Sequence, residues 1–134
     1  MKQEEKELLL KDLCARLPYK VKVLIPDYYG GYTSIVEDID IDGYIKNFEG
    51  CQYEINEIKP YLFPLSSMTD EERKEYKHFV AFSGNPIGSA DFIDWLNSHH
   101  FDYRGLIPEG LAIDATGLNI YSHERSKYNN QRAK

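Results

Sequence analysis

The sequence lacks most of what a disulfide scaffold, a nucleotide-binding loop or a membrane protein requires. It has two cysteines, Cys14 and Cys51, without the close spacing of a metal-binding knuckle. No glycine-rich stretch leads into a GK[ST] motif, and no run of about 18 apolar residues is present. The first residues, MKQEEKELLLKDL, also lack the apolar core of a signal peptide. We therefore expect a cytoplasmic protein without a membrane span, whose two cysteines are reduced core residues.

Positive charge is scarce over most of the chain. The sequence has 16 Lys and Arg against 22 Asp and Glu, and residues 122–134 alone carry a net charge of +3. The remaining 121 residues therefore carry −9, which repels the phosphate backbone and disfavours nucleic-acid binding. Residues 122–134 show no hydrophobic period, so we expect a single domain over residues 1–121 and a disordered basic tail.

The stretch IKPYLFPLSSMTDEE is the most constrained part of the chain. Pro60 and Pro64 restrict the backbone to extended conformations. Thr69 and Glu72 have the spacing of a capping box, in which each side chain accepts a hydrogen bond from the other residue's amide. This pattern predicts that a strand ends here and a helix begins at Asp70.

An N-terminal helix is predicted over residues 4–17. Leu10, Leu13, Cys14 and Leu17 follow the spacing of one apolar face, and Leu9 widens it. Arg16 suits the negative end of the helix dipole, and Pro18 ends the helix.

The region between this helix and Pro60 is rich in β-strand signals. Residues 19–25 alternate in polarity, and residues 33–42 predict a second strand with Ile39 and Ile41 pointing inward. A further strand around Tyr53 completes a small β-meander or SH3-like barrel. Two helices follow, and a C-terminal hairpin is predicted over residues 111–120. The expected fold class is α+β.

Residues 38–49, DIDIDGYIKNFE, match the pattern of a calcium-binding EF-hand loop. Asp38, Asp40, Asp42 and Glu49 would supply the oxygens, and Gly43 the sharp turn. An EF-hand needs a helix on each side, however, and the flanking sequence favours strands. In the strand interpretation the isoleucines point inward, the aspartates face solvent and the chain turns at Gly43. We favour the strand and keep calcium binding as an alternative.

His99, His100 and Asp102 form a second candidate constellation. Adjacent histidines on a helix point about 100° apart, which disfavours a shared metal. A hydrolase would also need a nucleophile, and no serine lies in a nucleophile-elbow pattern. We expect both histidines to contact the carbonyls at a helix C-terminus. We also expect Arg104 to pair with a carboxylate such as Asp94 or Glu109.

Tyrosine is abundant in the β-rich part of the chain. The six residues concerned are Tyr28, Tyr29, Tyr32, Tyr44, Tyr53 and Tyr61. Tyrosine is enriched at protein interfaces, although cross-strand packing explains the same pattern and is the interpretation that we favour.

Three blocks of the sequence carry a resemblance to a known family. They are KELLLKDLCARLPY, IKPYLFPLSSMTDEE and DWLNSHHFDYRGLIPEGLAI. From about residue 7 to 115 the chain is similar to short proteins encoded by gut Bacteroidetes and their phages or prophages. No activity is associated with that family, so the resemblance assigns no site residue and implies only an intracellular, mobile-element-associated protein.

These observations predict a non-catalytic accessory protein of a phage or other mobile element. It would act through contacts with an unidentified protein partner, and we assign it no catalytic, cofactor-binding or metal-binding residue and no cofactor. The first alternative is a calcium- or metal-binding module using residues 38–49. The second is a small hydrolase using His99, His100 and Asp102.

Overall fold

The structure, a computed structural model, describes residues 1–26, 30–83 and 90–121. It has the predicted α+β class, with an N-terminal helix and two later helices around a mixed sheet. The helices are α1 (Gln3–Arg16), α2 (Asp70–Ser83) and α3 (Ala90–Ser98). The strands are β1 (Lys22–Ile25), β2 (Tyr32–Ile39), β3 (Ile45–Asn47), β4 (Gln52–Tyr53), β5 (Lys59–Pro64), β6 (Phe101–Asp102) and β7 (Ile113–Asp114). The predicted tail, residues 122–134, lies outside the described residues.

The sheet combines an antiparallel meander with a parallel edge. Strands β1 to β4 pair consecutively and antiparallel, which confirms the predicted meander. Strand β5 pairs antiparallel with β1, and β6 and β7 both run parallel to β5. Over the described residues the order is β4-β3-β2-β1-β5-β6, an open sheet rather than a closed barrel.

The prediction of a C-terminal hairpin is wrong. Ile113 and Asp114 form a strand, but its partner is β5, and residues 118–120 form no strand. The Ala115 amide donates to the Leu62 carbonyl at 2.8 Å, so the backbone of this segment is satisfied by β5. Leu118 is half exposed. Alternation over a few residues cannot distinguish strands that pair with each other from one that joins an existing sheet.

Strand β5 is the centre of the fold. Four consecutive residues, 60–63, are buried, because both edges and both faces of this strand are covered. One core lies between α1 and the meander and includes Leu9, Leu13 and Val23. The other is aromatic, lies against α3 and includes Phe92 and Phe101. The constrained stretch found in the sequence therefore joins the two cores.

Helix α2 begins as the sequence predicts. The Thr69 amide donates to Glu72 Oε1 at 2.8 Å, and the Glu72 amide donates to Thr69 Oγ1 at 3.2 Å. This is the predicted capping box.

The predicted apolar face of α1 is wrong by one position. The buried residues are Leu9, Asp12, Leu13 and Arg16, so two charged side chains occupy core positions. Cys14 and Cys51 are exposed, which contradicts their assignment to the core. A contact between charged groups distant in sequence explains the shift, as described below.

None of the helices within residues 1–26, 30–83 and 90–121 combines the length and hydrophobicity needed to cross a bilayer.

Candidate functional site

The calcium-loop pattern lies on a β-hairpin. Strand β2 precedes it and β3 follows it, and Gly43 turns the chain with a φ of 85°. Asp40 Oδ1 accepts hydrogen bonds from the amides of Asp42 and Tyr44, both at 2.9 Å. Asp38 lies opposite Lys46 in the register of β2 and β3. Asp38 therefore has the role that the strand interpretation gave it, whereas Asp40 lies beyond the end of β2 and closes the turn.

The hairpin geometry does not gather the aspartates around a point. Asp38 lies in β2 while Asp40 and Asp42 lie in the turn, whereas an EF-hand loop directs its oxygens to one point between two helices. Among residues 1–26, 30–83 and 90–121, no group of three or more His, Cys, Asp or Glu side chains is arranged to hold a metal ion.

Three large apolar side chains are exposed along this hairpin and the turn after it. Ile41 is fully exposed, Phe48 is 60% exposed and Tyr44 is 41% exposed. The expectation that Ile41 points inward is wrong, because β2 ends at Ile39 and Ile41 lies at the tip of the turn. We call Ile41, Tyr44 and Phe48 the apolar hairpin surface.

Negative charge predominates in the segment that carries the apolar hairpin surface. Residues 37–57 contain seven carboxylates and a single lysine, a net charge of −6 that equals the net charge of the whole chain. Six of the seven carboxylates are exposed, and Asp40 is the half-buried one. An exposed apolar group inside a field of one sign favours partners of the opposite sign.

A cleft of about 230 Å³ opens beside the hairpin turn. It lies between the first turns of α1, the hairpin turn and the short helical turn Ile55–Glu57. The side chains and backbone that line it belong to Lys6, Asp42, Gly43, Tyr44, Glu54, Ile55 and Asn56.

The side chains of the hydrolase hypothesis have structural roles. Both carboxylate oxygens of Asp102 accept backbone hydrogen bonds, from the amides of Leu106 and Ile107 at 2.9 Å. His100 is 4% exposed, and its ring stacks on Tyr121 with the centroids 3.8 Å apart. These contacts therefore stabilise the chain that follows α3.

The expectation for the helix C-terminus is confirmed for His99. Its Nδ1 lies 3.0 Å from the Trp95 carbonyl oxygen. His100 contributes its backbone amide to the Asn97 carbonyl and adopts a φ of 61°, where the chain leaves the helix. The two histidines thus end α3 in different ways.

A buried charge cluster is the feature that sequence reasoning missed. Asp12 Oδ2 accepts from Arg16 Nε at 2.7 Å, and Asp12 Oδ1 accepts from an Arg104 Nη at 2.8 Å. The Tyr103 ring lies 5.4 Å from the Arg16 guanidinium carbon and 4.6 Å from that of Arg104. The expectation that Arg104 pairs with Asp94 or Glu109 is wrong. The available signal was the four-residue spacing of Asp12 and Arg16, which is ambiguous because most such pairs face solvent.

The charge cluster anchors α1 to the chain after α3. Arg16 also donates to the Phe101 carbonyl oxygen at 2.5 Å, and neither the Asp12 nor the Arg16 side chain is exposed. Hydrogen bonds to Asp12 and Phe101 and the Tyr103 ring replace water around the Arg16 guanidinium, although one of its Nη atoms has no hydrogen-bond partner among the described residues. The groups of the cluster bind one another and the backbone of β6, so we regard the cluster as structural.

A groove of about 430 Å³ lies between α2 and α3. Phe79 and Trp95 contribute its aromatic surfaces, and Lys74, Glu75 and His78 its polar ones. Trp95 Nε1 donates to Glu75 Oε2 at 2.5 Å, which links the two helices. The indole is thereby held in the aromatic core.

Two of the tyrosines in the β-rich part pair with each other. The Tyr32 and Tyr53 hydroxyls are hydrogen-bonded, and this bond, with a smaller effect of burial, raises the pKa of Tyr53 above its ordinary value. Packing between strands, the favoured interpretation, accounts for this pair. Tyr44 is exposed, and Tyr28 and Tyr29 lie outside the described residues.

Comparison of the chain with protein-family models, with curated proteins and with solved structures gave no match.

Proposed function

We propose that this chain is a non-catalytic accessory protein of a phage or other mobile element, acting in the cytoplasm by binding another protein through the apolar hairpin surface. The observation that carries the proposal is the exposure of Ile41, Tyr44 and Phe48 on one hairpin. Single large apolar side chains on a surface are common, whereas several exposed together mark contact surfaces.

The side chains of the other candidate sites already form contacts within the fold, and this supports the choice of a binding protein. Each carboxylate oxygen of Asp102 accepts a backbone amide, and His100 is buried against Tyr121. Asp40 accepts hydrogen bonds from two amides of the hairpin turn. No observation therefore favours the hydrolase or the calcium module over a binding protein. The acidity of residues 37–57 also disfavours nucleic acid as the partner.

The experiment is affinity capture from the native host with the wild-type chain and with the variant Phe48→Ser. Phe48 is 60% exposed, so this substitution removes contact area without opening the core. The matched control is Leu118→Ser, which removes a half-exposed apolar side chain far from the hairpin along the chain. Each captured protein is then purified and its binding reconstituted by calorimetry.

The proposal predicts a partner that binds the wild type and the Leu118→Ser variant equally and binds Phe48→Ser at least about tenfold more weakly, as hot-spot aromatics do. Reconstituted binding that is unchanged by Phe48→Ser would contradict the proposed surface. Turnover of a substrate that requires His100 or Asp102 would contradict the non-catalytic role.

A further inference from the structure

We infer that the cleft beside the hairpin turn receives an arginine side chain of the protein partner, while apolar residues next to that arginine contact Tyr44 and Ile41. This inference rests on the proposed function and specifies the chemistry of the partner. The apolar hairpin surface supplies the contact area, and the cleft selects the side chain.

The cleft adjoins the apolar hairpin surface. Tyr44 belongs both to the apolar hairpin surface and to the wall of the cleft. A segment that covers Tyr44 therefore lies over the cleft opening, and one of its side chains can enter. The volume of about 230 Å³ suits a long side chain rather than a separate drug-sized ligand.

The cleft carries an excess of negative charge. Asp42 and Glu54 line it, and within the described parts of the chain neither carboxylate forms an ion pair, although Glu54 also accepts the Glu57 amide. Lys6 also lines it, which leaves a net charge of −1 from these three groups. The cleft therefore favours one cation and disfavours a carboxylate or phosphate.

The groups that line the cleft suit arginine better than lysine. A guanidinium is planar, forms paired hydrogen bonds with carboxylates and stacks on aromatic rings. The cleft offers carboxylates and the exposed ring of Tyr44. The ammonium of lysine is more strongly hydrated and gains less from the ring.

The same pairing occurs inside this protein. Arg104 combines a bond to Asp12 with a position over the Tyr103 ring. The cleft presents the equivalent groups, a carboxylate and a tyrosine, at the surface.

The experiment titrates the isotope-labelled chain with the peptide acetyl-Leu-Arg-Leu-amide and follows the backbone amides by NMR. The comparison peptide replaces arginine by citrulline, which has the same shape and no charge. The protein variant is Asp42→Asn with Glu54→Gln, which keeps side-chain size and hydrogen-bonding capacity. Its control, Asp91→Asn with Glu109→Gln, removes the same charge from exposed positions outside the cleft.

We expect shift changes at Asp42, Gly43, Tyr44 and Glu54 with the arginine peptide. The dissociation constant should rise about tenfold with citrulline and with the cleft variant, the loss expected for a charge-assisted hydrogen bond. The control variant should bind as the wild type does.

Equal binding of the two peptides, shift changes centred elsewhere, or no saturable shift would overturn the inference. The captured partner separates this inference from the proposed function. Partner binding that is weakened by Phe48→Ser but unchanged by the cleft variant would leave the proposed function standing and remove the arginine. Partner binding unchanged by both variants would remove the proposed surface itself.

Discussion

Replacement of Asp12 by alanine is the sharpest test of how the fold is held together. This carboxylate accepts hydrogen bonds from two arginines, at 2.7 and 2.8 Å. Its side chain and that of Arg16 are fully buried, and the Arg104 side chain is 17% exposed. The variant therefore leaves two guanidinium groups in the interior without their counter-charge.

The expected loss follows from that geometry. Removal of one partner of a buried ion pair costs about 3–5 kcal/mol of the free energy of unfolding, because the remaining charge stays desolvated. For a domain of this size such a loss corresponds to a melting temperature lower by roughly 10–20 °C. It is also a large fraction of the ~5–15 kcal/mol by which domains are usually stable.

Urea unfolding and calorimetry of Asp12→Ala measure this loss, with Glu7→Ala as the control. Glu7 is an exposed acid on the same helix, and its removal should change stability by no more than about 0.5 kcal/mol. A second variant, Asp12→Leu with Arg16→Met, removes both buried charges and should recover part of the stability. If Asp12→Ala behaves like Glu7→Ala, the conclusion that this carboxylate anchors α1 is refuted.

Four other predictions concern single features of the fold. Thr69→Ala should lower the free energy of unfolding by about 1 kcal/mol, since it removes a helix cap, and urea unfolding measures this. Gly31→Ala should destabilise the protein more than Gly30→Ala. Both positions have positive φ, but only at Gly31 would the added Cβ lie 2.9 Å from a Leu24 methyl carbon. Equal melting temperatures of the two variants would contradict the clash. Because the pKa of Tyr53 is raised in the folded protein, the unfolded chain loses the Tyr53 hydroxyl proton first as the pH rises above about 10, and the free energy of unfolding should fall there. NMR titration of a variant without the Tyr32 hydroxyl should show that Tyr53 ionises at lower pH. Millimolar calcium should leave the melting temperature unchanged, and a rise that grows with calcium concentration would restore the metal-binding alternative.

The elements that sequence reasoning placed correctly depend on groups close together in the chain. The capping box joins Thr69 and Glu72 across three residues, and the turn at Gly43 depends on that residue and on the neighbouring aspartates. The meander follows from alternating polarity and tight turns between successive strands. Such signals survive in a sequence because the interacting groups are neighbours in it.

The errors concern burial and pairing. Hydrophobicity alone assigned Cys14 to the core of α1 and left Asp12 and Arg16 outside it, whereas the structure reverses this. Arg16 bonds to Phe101, 85 residues away, and Arg104 bonds to Asp12, 92 residues away. Without knowledge of these partners, burial of a charged side chain has no compensation and the pattern excludes it.

The candidate site shows the same division. The acidic composition of residues 38–49 and the turn within them are evident from the sequence, and the flanking residues already favour strands over a calcium loop. The exposure of Ile41 and the cleft between the hairpin turn and α1 were not foreseen, because they depend on where the strand ends and on which distant elements pack nearby. The sequence alone therefore predicted local features such as caps and turns. Burial, the apolar hairpin surface and the partners of the buried charges depend on contacts between residues that are distant in the chain, and only the tertiary structure decides them.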